Sequence, residues 1–175
     1  MSALDRGLAL VRDRRAKLLA EVDGLLEPQF STAPDEGEWS AGHVLEHLWI
    51  VESYSTKTLQ GMIDGRIPGE RRLLYRIWSL PPRIVARPLF KVRAMRRVMP
   101  AAAPQREDVL ERLAQSRGQF EELAENSRDR DLSGLRMRHP ILGGLDPYQF
   151  IEFLGHHENR HTIQIREIKR RLGGG

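Results

Sequence analysis

At 175 residues the chain is long enough for one domain with a substantial core and short for two. Hydrophobic residues make up 40% and charged residues 30%, a folded globular balance, and no apolar run approaches the ~20 residues of a membrane-spanning helix. The absence of cysteine excludes disulfides, thiolate metal sites and cysteine nucleophiles, and the net charge of +4 leaves room for an anionic partner.

The first segment, MSALDRGLALVRDRRAKLL, breaks its apolar positions with arginine and aspartate, unlike a secretory signal, so a cytoplasmic protein is expected. Leu4, Leu8, Val11, Leu18, Val22 and Leu25 recur at three, four or seven residues and predict a first helix to about Leu26. Pro28 and the STAPDEGE stretch are expected to end it. A second helix is predicted from WSAGH, with Ser40 as N-cap, to about Asp64, where Gly65 stops it. The segment 66–104 reads as basic helix broken at Pro81-Pro82. A third long helix is predicted over AAAPQREDVLERLAQSRGQFEELAEN, with Pro104 in its first turn and Val109, Leu113, Phe120 and Leu123 facing inward. The last helix has the clearest start: Asp146 caps, Pro147 takes the first position and Gln149 completes a capping box, with the pattern running to about Leu172. No strand-like alternation of useful length is visible. Four long helices with a basic crossover predict an all-α four-helix bundle, one domain over 1–175.

The chemistry-bearing residues lie on the second and last helices. His157 and His161 are four apart, so they point the same way, about 40° apart around the helix. Phe150, Phe153, Leu154, Ile165 and Ile168 share that side, which places two imidazoles in the core, where an unpaired polar ring is costly. A divalent ion would satisfy both. The string His157-Glu158-Asn159-Arg160-His161 also matches the H-E-x-x-H signature of zinc proteases, which requires a third ligand farther along. The sixth position after His161 is Glu167, within a basic helix end, and 14 residues follow the histidine, so a protease ligand is not expected there. A diiron carboxylate bundle would need a second copy of Glu158-x-x-His161, and there is none. His47, which shares a face with Val44, Leu48, Val51 and Tyr54, supplies a third inward histidine. Three neutral imidazoles with open positions make a Lewis-acid site for zinc or nickel. The alternative is three buried histidines, each with its own hydrogen-bond partner.

The segments WSAGHVLEHL and HPILGGLDPYQFIEFLGHHENRHTIQI together resemble the DinB / YfiT-like family of metalloenzymes, over about 1–65 and 104–172. The resemblance implies a four-helix bundle and the metal ligands His47, His157 and His161, with Trp39, Arg160 and Gln164-Ile165 shaping or bracing the site. It further implies a metal-dependent transferase or isomerase acting on a small-molecule substrate with a low-molecular-weight thiol such as bacillithiol, mycothiol or glutathione, and a homodimer. It implies no polymerase activity. The arginine-rich insertion departs from the family pattern.

Other residues are expected to be structural. His43 falls at the rim of the second helix, His156 on a flank, His139 in a packed or capping loop, Glu158 on the surface and Tyr54 in the core on the His47 side. The insertion carries Arg66, Arg71, Arg72, Arg76, Arg83, Arg87, Lys91, Arg93, Arg96 and Arg97 against Glu70 alone. It reads as a solvated helical face, as a surface for an anionic partner (nucleic acid, membrane or acidic protein), or as a pocket lid supplying arginines. The rival to the enzyme is therefore a non-enzymatic bundle that binds an anionic partner through 66–99.

Overall fold

The computed structural model describes residues 1–68, 80–86, 98–100 and 104–173. Four long helices dominate them: α1 (Ala3–Asp23), α3 (Ala41–Ile63), α4 (Arg106–Asn126) and α5 (Pro147–Arg171), with a short α2 (Glu27–Ser31) after the first. A 3-10 turn spans Pro82–Ala86, and an antiparallel hairpin pairs β1 (Met137–His139) with β2 (Gly143–Leu145), Met137 opposite Leu145. This is the all-α four-helix bundle expected.

Side-chain caps start α1, α3 and α5. Ser2 and Asp5 form a reciprocal capping box on α1: the Ser2 hydroxyl accepts from the Asp5 N–H at 3.0 Å, and the Asp5 carboxylate accepts from the Ser2 N–H at 2.9 Å. Asp146 and Gln149 repeat the device on α5, at 2.9 and 3.0 Å, with Pro147 at the first helical position. On α3 the box is built from Ser40 and His43, whose Nδ1 accepts from the Ser40 N–H at 3.3 Å.

Three boundaries differ from expectation. α1 stops at Asp23, and Pro28, instead of ending a helix, sits in the first turn of α2. That short helix drives Phe30 against α3 at Gly42, where an added Cβ would come within 2.9 Å of the ring. α4 begins at Arg106, so Pro104 precedes it. The hairpin was invisible because each strand is three residues long, too short to show alternation. Most of the basic insertion, including Arg71, Arg72, Arg76, Arg87, Lys91, Arg93, Arg96 and Arg97, lies outside the described residues.

The helices associate as two pairs. α1 packs along α5 and α4 along α3, while the direct contact between α3 and α5 is narrower. The apolar core is divided likewise. One cluster gathers Leu8, Val11, Leu59, Phe120, Leu154 and the hairpin residues Met137 and Leu145. The other gathers Leu18, Phe30, Val44, Leu48, Leu113 and Ile165. Of the described crossover, Leu80 donates its N–H to the Leu142 carbonyl in the hairpin turn at 2.9 Å, and the 3-10 turn packs on α5. No described helix is long and apolar enough to cross a membrane.

Candidate metal centre

The narrow α3–α5 contact is where three imidazoles meet. His47 projects from α3 and His157 and His161 from successive turns of α5. The His157 Nε2 lies 3.3 Å from the His47 Nε2 and 3.1 Å from the His161 Nε2. One ring nitrogen from each of the three lies within 4.8 Å of the others.

The outer nitrogens decide what the inner ones present. The His47 Nδ1–H donates to the Val98 carbonyl at 2.6 Å, and the His161 Nδ1–H donates to the Gln164 amide oxygen at 2.8 Å. Each bond fixes a tautomer whose Nε2 carries a lone pair directed inward. His157 can place at most one hydrogen between these two acceptors, so hydrogen bonding within the triad cannot satisfy every lone pair. A cation can. Nitrogens held about 2.0–2.1 Å from a tetrahedral zinc lie roughly 3.3 Å apart, which the two Nε2 distances to His157 approach. The donor set therefore fits a divalent ion.

Burial keeps the rings neutral, the form that binds metal. It lowers the His47 pKa, holds His157 well below the usual histidine value, and brings His161 down to about 3. The neighbouring histidines and the Arg160 guanidinium push His157 and His161 the same way. Trp39 lies against His47 with ring centroids 5.0 Å apart, and Phe153 stacks on His157 at 5.3 Å. Arg160 is half-buried beside the triad, and its Nη1 approaches the Val85 carbonyl at 3.5 Å. Val98 and Val85 both belong to the crossover, so that segment contributes backbone to the rim of the site. The sequence carried no signal for the Val98 contact, because a carbonyl has no residue identity.

The remaining candidates fall away from the triad. His43 serves the α3 cap, His156 pairs with Glu152 at 3.4 Å, and His139 accepts from the Ile141 and Leu142 N–H groups at 3.2 and 3.0 Å. Tyr54 is 53% exposed, so the expected core position is corrected: the buried face of α3 continues past His47 through Ser55, Leu59 and Met62, and Tyr54 stands off its edge.

The sequence model of the DinB superfamily matches residues 10–165. The chain belongs to the DinB superfamily. It is 26% identical over 166 residues to the uncharacterized protein YuaE of Bacillus subtilis (strain 168), covering 94% of this chain and 98% of that protein. Among solved structures it resembles YfiT from Bacillus subtilis, described as a probable metal-dependent hydrolase with an unusual four-helix bundle topology. That likeness has a TM-score of 0.66 at 18% identity, covering 98% of this chain and 89% of the other. It also resembles TT2238, a four-helix bundle protein, with a TM-score of 0.63 at 20% identity over 94% and 98% of the two chains. At these identities the structural likenesses show the fold.

Beside the triad this DinB bundle buries a second polar group that sequence reasoning misplaced. Glu158 was expected on the surface; it is 2% exposed. One rotation step from His157 turns it away from the triad and into the bundle axis, where it meets Arg15 of α1 and Arg117 of α4. Arg117 Nη2 donates to Glu158 Oε2 at 2.9 Å and its Nε to Glu52 Oε1 at 2.7 Å. Arg15 closes the circuit, donating from Nε to Glu158 and from Nη2 to Glu52 Oε2 at 3.2 Å. The spare guanidinium nitrogens donate to the Leu113 and Val11 carbonyls, and the Ser116 hydroxyl donates to Glu52 Oε2 at 2.6 Å. Burial works against the charge on Arg117, but Glu52 and Glu158 outweigh it and raise the pKa. The signal was present in the apolar stripes. Arg15 stands between Val11 and Leu18, Glu52 four after Leu48, Arg117 between Leu113 and Phe120, and Glu158 four after Leu154. Each charge occupies a position where its helix otherwise places an apolar residue.

Proposed function

We propose that the protein is a metal-dependent enzyme acting on a small-molecule substrate, with a divalent ion held by His47, His157 and His161. The observation that carries this reading is the convergence of the three Nε2 atoms while the Nδ1 atoms of His47 and His161 are engaged elsewhere. A divalent ion on three neutral imidazoles supplies Lewis acidity and lowers the pKa of a water or thiol. The chain's own residues hold the ring tautomers through Val98 and Gln164, and Trp39 and Phe153 wall the site with apolar surface.

Two nucleophile classes follow. The YfiT likeness favours hydrolysis; the family resemblance favours transfer or isomerisation with a low-molecular-weight thiol. Zinc or nickel suits the nitrogen donor set. We further read the chain as one DinB-like domain that pairs as a homodimer in the cytoplasm.

Elemental analysis of protein purified without a histidine tag is expected to find about one divalent ion per chain, lost in His47→Ala and in His161→Ala. A chain free of metal after growth under replete conditions would overturn the enzyme reading. With metal present, esters and amides set beside a panel of thiols with an electrophile separate hydrolase from transferase. The rival reading, an anion-binding bundle acting through 66–99, predicts salt-sensitive binding to nucleic acid or anionic vesicles, weakened by replacing Arg96 and Arg97.

A further inference from the structure

The triad spans a seam. Its ligands come from α3 and α5, which belong to different helix pairs and touch each other narrowly. Apolar packing alone gives weak control of that relation, because apolar surface is non-directional. The buried ring crosses the same seam, and its layout follows the ligands. Both carboxylates sit on the helices that carry histidines: Glu52 on α3 with His47, and Glu158 on α5 with His157 and His161. Both guanidiniums sit on the helices that carry none, Arg15 on α1 and Arg117 on α4. Each arginine holds one carboxylate from its own helix pair and one from the other: Arg15 takes Glu158 and Glu52, and Arg117 takes Glu52 and Glu158.

We propose that the Arg15–Glu52–Arg117–Glu158 ring is the positioning device of the histidine centre, fixing the rotation and axial level of α5 against α3 so that the three Nε2 atoms converge. Slipping α5 by one residue would turn it about 100° and shift it about 1.5 Å. That would take Glu158 out of both guanidinium forks and His157 and His161 away from His47 together. The carboxylate and the first ligand are adjacent residues, so neither can leave its partners alone. Buried ion pairs add little net stability over well-packed apolar residues. A ring that is neutral, closed and built from one residue of each long helix is better suited to specifying an arrangement than to strengthening it. All four residues act through the histidines and touch no substrate, and the inference depends on the proposed metal reading only in treating the histidines as one unit.

Two variants test it. In the first, the whole ring becomes apolar in one chain (Arg15→Met, Glu52→Leu, Arg117→Met, Glu158→Leu), which preserves burial without directional bonds. In the second, Arg117→Lys keeps all four charges and removes the fork. Leu8→Ala, a core truncation, is the destabilised control. The first readout is the set of proton–proton Overhauser contacts across the seam in the metal-free protein. There the wild type and Leu8→Ala are expected to show the His47 ring against the His157 and His161 rings, whose centroids lie 5.2 and 4.9 Å from it, and the ring variants to lose those contacts. The second is zinc affinity by chelator competition, expected to weaken at least about ten-fold in the ring variants, as supporting contacts typically do. A folded ring variant with the wild-type contacts between the His47 ring and the α5 histidines and wild-type zinc affinity would overturn the proposal. Should the apolar chain fail to fold, Arg117→Lys decides alone. Wild-type protein that takes neither zinc nor any other divalent ion would end the enzyme reading, and the cross-seam ring contacts would still judge the ring.

Discussion

His139 shows how one side chain can serve the fold by staying neutral. Its Nδ1 accepts two backbone hydrogens in the hairpin, its ring lies 4.5 Å from that of Phe153, and burial lowers its pKa to about 4. An unfolded chain takes up this proton near the ordinary value of 6.5, and the folded one refuses it until about 4. Stability from this group is therefore intact above 6.5 and is lost as the pH falls towards 4. His47, His157 and His161 are lowered by burial too, so the metal-free protein should show the same sign from all four. Urea midpoints are expected to fall steadily across that window. His139→Asn, whose side-chain oxygen can replace Nδ1 as acceptor without titrating, should make the fall shallower. An unaltered slope would mean that the ring takes up its proton as readily in the folded state. The same burial explains why the triad was legible in the sequence: two histidines four apart on an apolar face have few ways to be satisfied. Glu158 was not legible, because a glutamate beside an inward histidine reads as the edge of the face until its arginine partners on other helices are known.

The starts of α3 and α5 were readable, and the helix connections were not. Ser40, Asp146 and Pro147 announce their caps by local chemistry, which needs no tertiary partner. α2 and the hairpin depend on what they touch. Phe30 of α2 is fully buried against Gly42 and under the Arg106 guanidinium, 4.5 Å from its ring centroid, and nothing within EPQFS reveals those neighbours. The Ser40–His43 box separates the two histidines of the HVLEH string by role. His43→Ala should lower the melting temperature slightly while leaving metal content unchanged, whereas His47→Ala should abolish metal binding. Ser40→Ala should cost about 1 kcal/mol in chemical denaturation. Metal lost from His43→Ala would place that residue among the ligands instead.

Across the whole molecule, the ring lies between two apolar clusters. Along α1, Val11 belongs to one and Leu18 to the other, with Arg15 between them; along α4 the order is Leu113, Arg117, Phe120, and along α5 Leu154, Glu158, Ile165. Removing one member leaves an opposite charge buried without its partner, a loss of about 3–5 kcal/mol. Glu158→Ala is thus expected to shift the urea midpoint far more than the few tenths of a kcal/mol typical of a surface glutamate. A near-neutral result would return Glu158 to the solvent-facing role its sequence neighbours suggested. The four-helix architecture was legible from periodicity because each helix is long. Its polar midline was not, since a charge in an apolar stripe looks like a fault in one helix and becomes a pattern when four are superimposed.

The Val98 carbonyl, which takes the His47 Nδ1–H at 2.6 Å, has its own consequence. A main-chain oxygen is the same atom whatever side chain stands at position 98, so substitutions there leave the contact in place. Insertions and deletions do not, because they move which peptide group arrives. In relatives of this protein, the spacing from residue 98 to the start of α4 should be guarded more closely than the letter written there.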